Sequence, residues 1–191
     1  MLRILERPEE GIAQFRQAAE QSPTNLYSVT QIGWALFDQH RYDQALAQYD
    51  EVIRREPTFW LPVYNKGLVY AMLRDTVHLR ETIERVTPLT VEGAPHVALL
   101  RGLNLAIQGD RVRALESVDR VCGAPSSASC LRSRAGLLHV LGEDDEALSL
   151  LERTAELRDP FLPNALSEPW YDDLGDHPRL AAIRRRVGVP E

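Results

Sequence analysis

The sequence predicts an all-α fold in which antiparallel helix pairs stack into a solenoid that a C-terminal capping helix closes. Apolar residues recur at helical spacing along most of the chain, which favours amphipathic helices over strands. A small residue also recurs about every 34 positions, at Gly33, Gly67, Gly102 and Ala135. A helix pair that buries only one face gains stability by stacking on its neighbours, so we expect one continuous array.

Residues 8–25 read as the second helix of a pair whose first helix is missing from the pattern. Gly11 and Phe15 stand 34 residues before Ala45 and Tyr49, which occupy the same places in the next helix pair. The array is therefore predicted to begin in the middle of a repeat.

This half repeat predicts an exposed apolar stripe that includes Ile12 and Phe15. Three explanations stay open. A short helix containing Leu2, Ile4 and Leu5 could cap the array, or the chain could be part of a longer protein. The stripe could also be a contact surface for a partner, including a second copy of the chain in a homodimer.

Residues 26–59 form the clearest helix pair. Gly33 and Ala45 are small, so two helices can approach closely where these residues face the partner helix. The intervening stretch at residues 38–41 is too polar to bury and predicts a turn. Pro57 ends the second helix because proline cannot donate the next backbone hydrogen bond.

Three further helix pairs are predicted at residues 60–94, 95–127 and 128–161. In the pair at residues 60–94, the second helix departs from the pattern, since Leu79 and Ile83 replace the small and aromatic residues of the clearest pair. The following two pairs regain small residues at the expected places. We therefore expect four helix pairs after the initial lone helix.

Residues 162–191 are predicted to close the array. The repeat pattern changes at the start of this range, which is rich in Pro, Trp, Tyr and Asp. Pro178 to Val187 then predicts a last amphipathic helix, with Leu180 and Ile183 in its apolar stripe. A terminal helix of this kind covers the apolar face that the last repeat would otherwise expose.

The order of small, large and Pro residues over about 34 positions resembles the tetratricopeptide repeat. The clearest pair matches this family at Gly33, Ala45, Tyr49 and Pro57. The closing segment resembles the one that follows the repeats in many bacterial proteins of this family with signalling or regulatory modules. The resemblance implies a right-handed superhelix in which first helices line a concave groove and second helices form the convex back.

Composition excludes several classes of protein. No run of 18 apolar residues occurs, so we expect no insertion into a membrane. The net charge is −6 and no basic stripe is visible, so nucleic acid is not an expected partner. The histidines lack metal-ligand spacing and no Gly-rich phosphate loop occurs, so we expect no enzyme activity, no metal and no cofactor.

Two cysteines lie close together in the predicted fold. Cys122 is near the end of one helix and Cys130 is at the start of the next, so the connecting loop returns the chain and a disulfide is possible. Two free thiols are an equally acceptable interpretation. Free thiols would indicate a cytoplasmic protein and a disulfide an extracytoplasmic one, so the compartment stays open.

The family resemblance implies that the chain binds other polypeptides. Two hypotheses follow: an adaptor domain that binds an apolar peptide or helix in the groove, and a structural module whose groove or open N-terminal face is filled by its own oligomer. By the family's geometry, ten residues would form an apolar and aromatic groove lining. These are Tyr27, Thr30, Trp34, Phe37, Tyr64, Asn65, Leu68, His96, Leu99 and Leu103.

Overall fold

The computed structural model describes residues 8–22, 24–123 and 127–189, and this part of the chain contains helices but no β-strand. The all-α prediction is therefore confirmed. Numbered in chain order, the α-helices are α1 (Pro8–Gln21), α2 (Leu26–Asp38), α3 (Tyr42–Arg55), α4 (Trp60–Met72), α5 (Thr76–Val86), α6 (Pro95–Ile107), α7 (Arg111–Cys122), α8 (Ala128–Val140), α9 (Asp144–Glu156), α10 (Leu162–Ala165) and α11 (Pro178–Val187). Short 3₁₀ helices occur at Thr87–Leu89 and Pro169–Leu174.

Consecutive helices pack as pairs, α2 with α3, α4 with α5, α6 with α7 and α8 with α9. The first helices α2, α4, α6 and α8 also contact one another in order along the stack. Their shared surface forms one side of the solenoid, and a single apolar core runs through the array. This arrangement makes the surface of the first helices the place to look for a groove.

The recurring glycines lie where neighbouring helices approach most closely. A Cβ atom added to Gly33 would lie 2.4 Å from Cε1 of Tyr49, whose side chain is fully buried on α3. A Cβ atom added to Gly67 would lie 2.7 Å from Cδ1 of Leu100 on α6. Real Cβ contacts are longer than either distance, so a side chain at either position would require Tyr49 or Leu100 to move.

The apolar stripe of α1, expected to be exposed unless another segment covers it, is covered at Ile12. This side chain is only 1% exposed, and Phe15 is partly buried. The physical reason is that α1 packs against α2 and adds Ile12 to the common core. Leu2, Ile4 and Leu5, which were considered as a cap, lie outside the described residues.

The last helix begins at Pro178 and ends at Val187, as the sequence predicts. It packs against α9, and Leu180 and Ile183 are buried in the contact. The guanidinium of Arg184 also donates a hydrogen bond of 3.1 Å to the carbonyl oxygen of Leu166. Helix α11 thus covers the last helix pair and holds the end of α10.

Candidate functional site

The ten residues predicted to line a groove lie on the first helices α2, α4 and α6, but most of them are covered. Tyr27 is 51% exposed, while Trp34, Tyr64 and His96 are half-buried. The remaining six are buried, namely Thr30, Phe37, Asn65, Leu68, Leu99 and Leu103. Six of the ten predicted lining positions are therefore closed to solvent.

Part of the cover is provided by residues 162–174, here called the groove segment, which comprise α10 and the 3₁₀ helix at Pro169–Leu174. Trp170 is 7% exposed, and its ring meets the ring of Phe37 edge-on with centroids 6.4 Å apart. The Ser167 hydroxyl donates a hydrogen bond of 3.1 Å to Oδ2 of Asp38. The groove segment thus reaches the C-terminal end of α2.

A hydrogen bond between His40 and Asp172 extends this contact beyond α2. His40 lies in the turn between α2 and α3 with a φ of 57°, in the left-handed region that non-glycine residues rarely adopt. Its Nε2 atom lies 2.8 Å from Oδ2 of Asp172, and its Nδ1 atom lies 2.9 Å from the hydroxyl of Tyr42. The turn therefore offers a hydrogen-bonding partner to the acidic end of the groove segment.

Helix α8 holds the opposite side of the groove segment. The ring of Tyr171 stacks on the ring of His139 with centroids 5.0 Å apart. His139 Nε2 donates a hydrogen bond to the carbonyl oxygen of Trp170, and Nδ1 lies 2.7 Å from Oδ1 of Asp144. The imidazole of His139 thus lies between Asp144 and the backbone of the groove segment.

Trp170 also fills the space between the ends of α4, α6 and α8. Its ring borders a small cavity of about 160 Å³ that Ala71, Leu103 and Val140 help to line. The indole Nε1 is buried and donates to no acceptor among the described residues. Because an unsatisfied buried donor costs free energy, the indole is held here by apolar packing rather than by a hydrogen bond.

Two carboxyl groups are buried at the contact between the groove segment and α2. Burial raises the pKa of Asp38 well above its usual range, although the Ser167 hydroxyl lowers it and the charge of Asp172 raises it further. Burial also raises the pKa of Glu168, with Arg132 acting against this shift and Asp38 adding to it. The groove segment therefore docks with carboxyl groups that resist ionisation.

Arg132 supplies the nearest positive charge on α8. It forms an ion pair with Asp159, whose side chain is 5% exposed, and its guanidinium lies 5.7 Å from the ring centroid of Phe161. No ion pair joins Arg132 to Glu168 within 4 Å in the described part of the chain. The charge of Glu168 is thus only partly compensated.

An aromatic cluster lies at the other end of the first helices. The ring of His96 stacks on Trp60 with centroids 4.5 Å apart and meets Tyr64 edge-on at 5.3 Å. Burial lowers the pKa of His96, as does the charge of Arg132, so the neutral ring is favoured. All three rings are half-buried, which leaves this end of the groove partly open.

Sequence reasoning missed the residues that fill the groove. Ser167, Glu168 and Trp170 lie outside the repeats, so no periodic pattern assigns them to a helix face. One signal was available, because a Trp-Tyr pair in a short segment between two helices is too apolar to be left in solvent. Trp60 was missed as well, although it begins the same helix as Tyr64.

The sulfur atoms of Cys122 and Cys130 are bonded in this structure, and their Cα atoms lie 5.6 Å apart. The bond joins the end of α7 to the first turn of α8. It lies away from the groove segment in sequence, and the redox state of the protein at work stays a prediction.

In the ranges 8–22, 24–123 and 127–189, no cluster of three or more His, Cys, Asp or Glu side chains could hold a metal ion. Over the same ranges, no helix has the length and apolar character that spanning a membrane requires.

Comparison with known proteins gives a family match for part of the chain. The tetratricopeptide-repeat family model matches residues 30–77. Among curated proteins, none matches the chain significantly.

Several solved structures share the fold. A thermophilic tetratricopeptide-repeat protein from Thermus thermophilus, TTC0263, is 18% identical with a TM-score of 0.64, over 95% of this chain and 93% of that one. A tetratricopeptide-repeat protein from Parabacteroides merdae ATCC 43184 is 14% identical with a TM-score of 0.62, over 98% and 73%. YrrB, described as having an unusual peptide-binding site, is 18% identical with a TM-score of 0.51, over 91% and 90%.

Proposed function

We propose, for a chain built from tetratricopeptide repeats, that the concave groove binds a partner polypeptide in competition with the chain's own groove segment. The observation that carries this proposal is the contact of Trp170 with Phe37, together with the hydrogen bond from Ser167 to Asp38. A peptide ligand would make contacts of this kind from outside the chain. The module acts by binding and not by catalysis.

The groove segment indicates the chemistry of the partner. Its indole and phenol rings occupy the apolar part of the groove, and Asp172 pairs with His40 in the turn after α2. We therefore infer that the partner presents adjacent aromatic side chains flanked by carboxylates. This extends the expected apolar ligand to one that is apolar in the middle and acidic at its ends.

The shared fold supports peptide binding as the general activity. The description of YrrB assigns a peptide-binding site to a protein whose repeats superpose on most of this chain. We extend peptide binding from that protein to this one on the strength of the fold and of the groove chemistry.

Displacement of the groove segment is physically reasonable. Helix α10 has only 4 residues, so few backbone hydrogen bonds hold the segment together by itself. Glu168 and Asp38 are buried without full charge compensation. The cost of burying them makes docking of the groove segment less favourable. A partner must nevertheless overcome the high effective concentration of a tethered ligand, typically in the millimolar range.

Self-assembly is the alternative proposal. Since the groove is filled within one chain, a second copy would have to exchange groove segments to enter it, as in a domain swap. A homodimer through α1 has less support, because Ile12 is buried against α2. Sedimentation at increasing concentration separates these cases, since only assembly makes the mass depend on concentration.

The test uses a labelled synthetic peptide of residues 162–176, titrated into the full chain and followed by fluorescence anisotropy. In Trp170→Ala the internal ligand is weakened, so we expect the peptide to bind at least about tenfold more tightly than to the wild type. Phe161→Ala is the matched control, because this aromatic residue is 60% exposed and lies just before the groove segment.

Equal affinity for wild type and Trp170→Ala would contradict the competition. A second variant guards against loss of folding in Trp170→Ala. Ser167→Ala combined with Asp172→Ala removes two polar contacts of the groove segment without leaving a cavity in the core. Circular dichroism confirms that each variant is folded before the titration is interpreted.

A further inference from the structure

A second concave surface lies on the side of the array formed by second helices. It is a cleft of about 680 Å³ between α5 and α7, floored in part by the C-terminal half of α6. None of the residues of the groove segment lines it. The groove and this cleft are therefore separate surfaces of the same protein.

Four arginines surround the cleft and give it its name here, the arginine cleft. Arg80 projects from α5, Arg101 from α6, and Arg113 and Arg120 from α7. All four are exposed. Two glutamates also line the cleft, so its lining carries a positive excess although the whole chain has a net charge of −6.

Of the four arginines, Arg113 alone forms an ion pair with an acid among the described residues. Arg80 and Arg120 form no ion pair with any described residue, even though a glutamate stands four residues away on the same helix in each case. Arg101 donates a hydrogen bond of 3.2 Å to the hydroxyl of Thr87. Arg113 approaches Asp110 only at 3.4 Å. Most of the guanidinium donors thus remain available to a ligand.

Apolar side chains also line the cleft. Ile83, Leu105 and Val121 contribute to the lining between the charged side chains. Ile83 is 8% exposed, and the other two are half-buried. A ligand that fits this surface therefore needs both acidic groups and at least one apolar side chain.

We propose that the arginine cleft binds an acidic segment of a partner polypeptide. Guanidinium groups pair with carboxylates through two parallel hydrogen bonds, and the apolar part of the lining receives a side chain between them. A nucleic acid fits less well, because Glu84 and Glu116 lie among the arginines and would repel a continuous phosphate backbone. This site goes beyond the proposed function, since the groove and the cleft can be occupied at the same time.

The experiment measures binding of a fluorescein-labelled peptide built from repeated Glu-Leu-Glu units to the full chain. A peptide of Gln-Leu-Gln units is the matched control for its charge. We expect the acidic peptide to bind and the neutral one not to bind. Raising the salt concentration from about 0.05 M to about 0.5 M should weaken the binding, because exposed charges are screened.

The decisive variant is Arg80→Gln combined with Arg120→Gln, which removes two charges without breaking an ion pair. It should weaken binding of the acidic peptide by about tenfold or more. Arg16→Gln combined with Arg153→Gln removes the same charge from exposed positions outside the cleft and should have little effect.

Three outcomes would overturn the proposal. The first is equal binding of the acidic peptide to the wild type and to the Arg80→Gln, Arg120→Gln protein. The second is the absence of binding to the wild type. The third is preferential binding of single-stranded RNA, lost in the same variant, which would assign the cleft to a nucleic acid. Trp170→Ala should leave binding of the acidic peptide unchanged, which separates this test from that of the groove.

Discussion

The hydroxyl of Ser167 donates a hydrogen bond of 3.1 Å to the carboxylate of Asp38, although 129 residues separate them in sequence. This contact joins the segment that follows the last repeat to the first helix of the first complete repeat. It shows that the chain turns back along the concave surface before α11 begins. The groove of the solenoid therefore already contains a polypeptide segment.

The pH dependence of docking follows from the two buried carboxyl groups. Burial raises the pKa of Glu168 and of Asp38 above their ordinary values of 4.5 and 3.8. Above those values the docked state binds more protons than the undocked state, so docking is strongest at low pH. Docking therefore becomes weaker as the pH rises from about 4 through the raised pKa values.

We predict that Glu168→Gln stabilises the protein at about pH 8 and has little effect at about pH 5, because glutamine resembles the protonated acid. Urea unfolding followed by circular dichroism at both pH values measures the difference. Glu156→Gln, at an exposed position of α9, is the matched control. A Glu168→Gln protein that is less stable than the wild type at pH 8 would show that the carboxylate is ionised and stabilising in the groove.

Gly33 tests the packing of the clearest helix pair. In Gly33→Ala the new methyl group would lie 2.4 Å from Cε1 of Tyr49, which is fully buried, so we predict a loss of about 1 to 3 kcal/mol from overpacking. The free energy of unfolding in urea measures this loss. An unchanged free energy of unfolding would contradict the close contact between Gly33 and Tyr49.

Gly136→Ala provides the control within α8. The nearest atom to its added Cβ would be the hydroxyl oxygen of Tyr171, at an ordinary contact distance of 3.6 Å. Alanine also favours a helix over glycine by about 0.5 to 1 kcal/mol. This variant should therefore be as stable as the wild type or slightly more stable.

The cysteine pair gives a prediction about covalent state. Protein purified without reductant should show no titratable thiol after denaturation, and reduction should release both Cys122 and Cys130. The two cysteines are 8 residues apart in sequence. On the chain-entropy view, reduction of the disulfide that closes this loop should cost about 2 to 3 kcal/mol of stability. Two titratable thiols before reduction would contradict the linkage and favour a cytoplasmic protein.

The sequence alone predicts the repeats because their physics is local. Gly33, Tyr49 and Pro57 mark a close helix contact, a buried ring and a helix end, and each has a counterpart about one repeat away. The last helix was predicted at Pro178 to Val187 for the same reason, since its apolar stripe has helical spacing.

The occupant of the groove could not be predicted in this way. The contacts of Trp170 with Phe37 and of Asp172 with His40 join residues far apart in sequence and depend on the direction in which the chain leaves α9. A 3₁₀ helix provides no extended apolar stripe to fix that direction. The lining was predicted as an open surface because its apolar character gives no indication of which segment covers it.

The most direct measurement is the nuclear Overhauser effect between the rings of Trp170 and Phe37 in the free protein in solution. Their centroids lie 6.4 Å apart in an edge-on arrangement, so protons of the two rings should be close enough to give cross-peaks. We predict these cross-peaks at about pH 5, and weaker ones as the pH rises and Glu168 ionises. Random-coil shifts for residues 166–174, without any cross-peak to Phe37, would show that the groove is empty and would contradict the account.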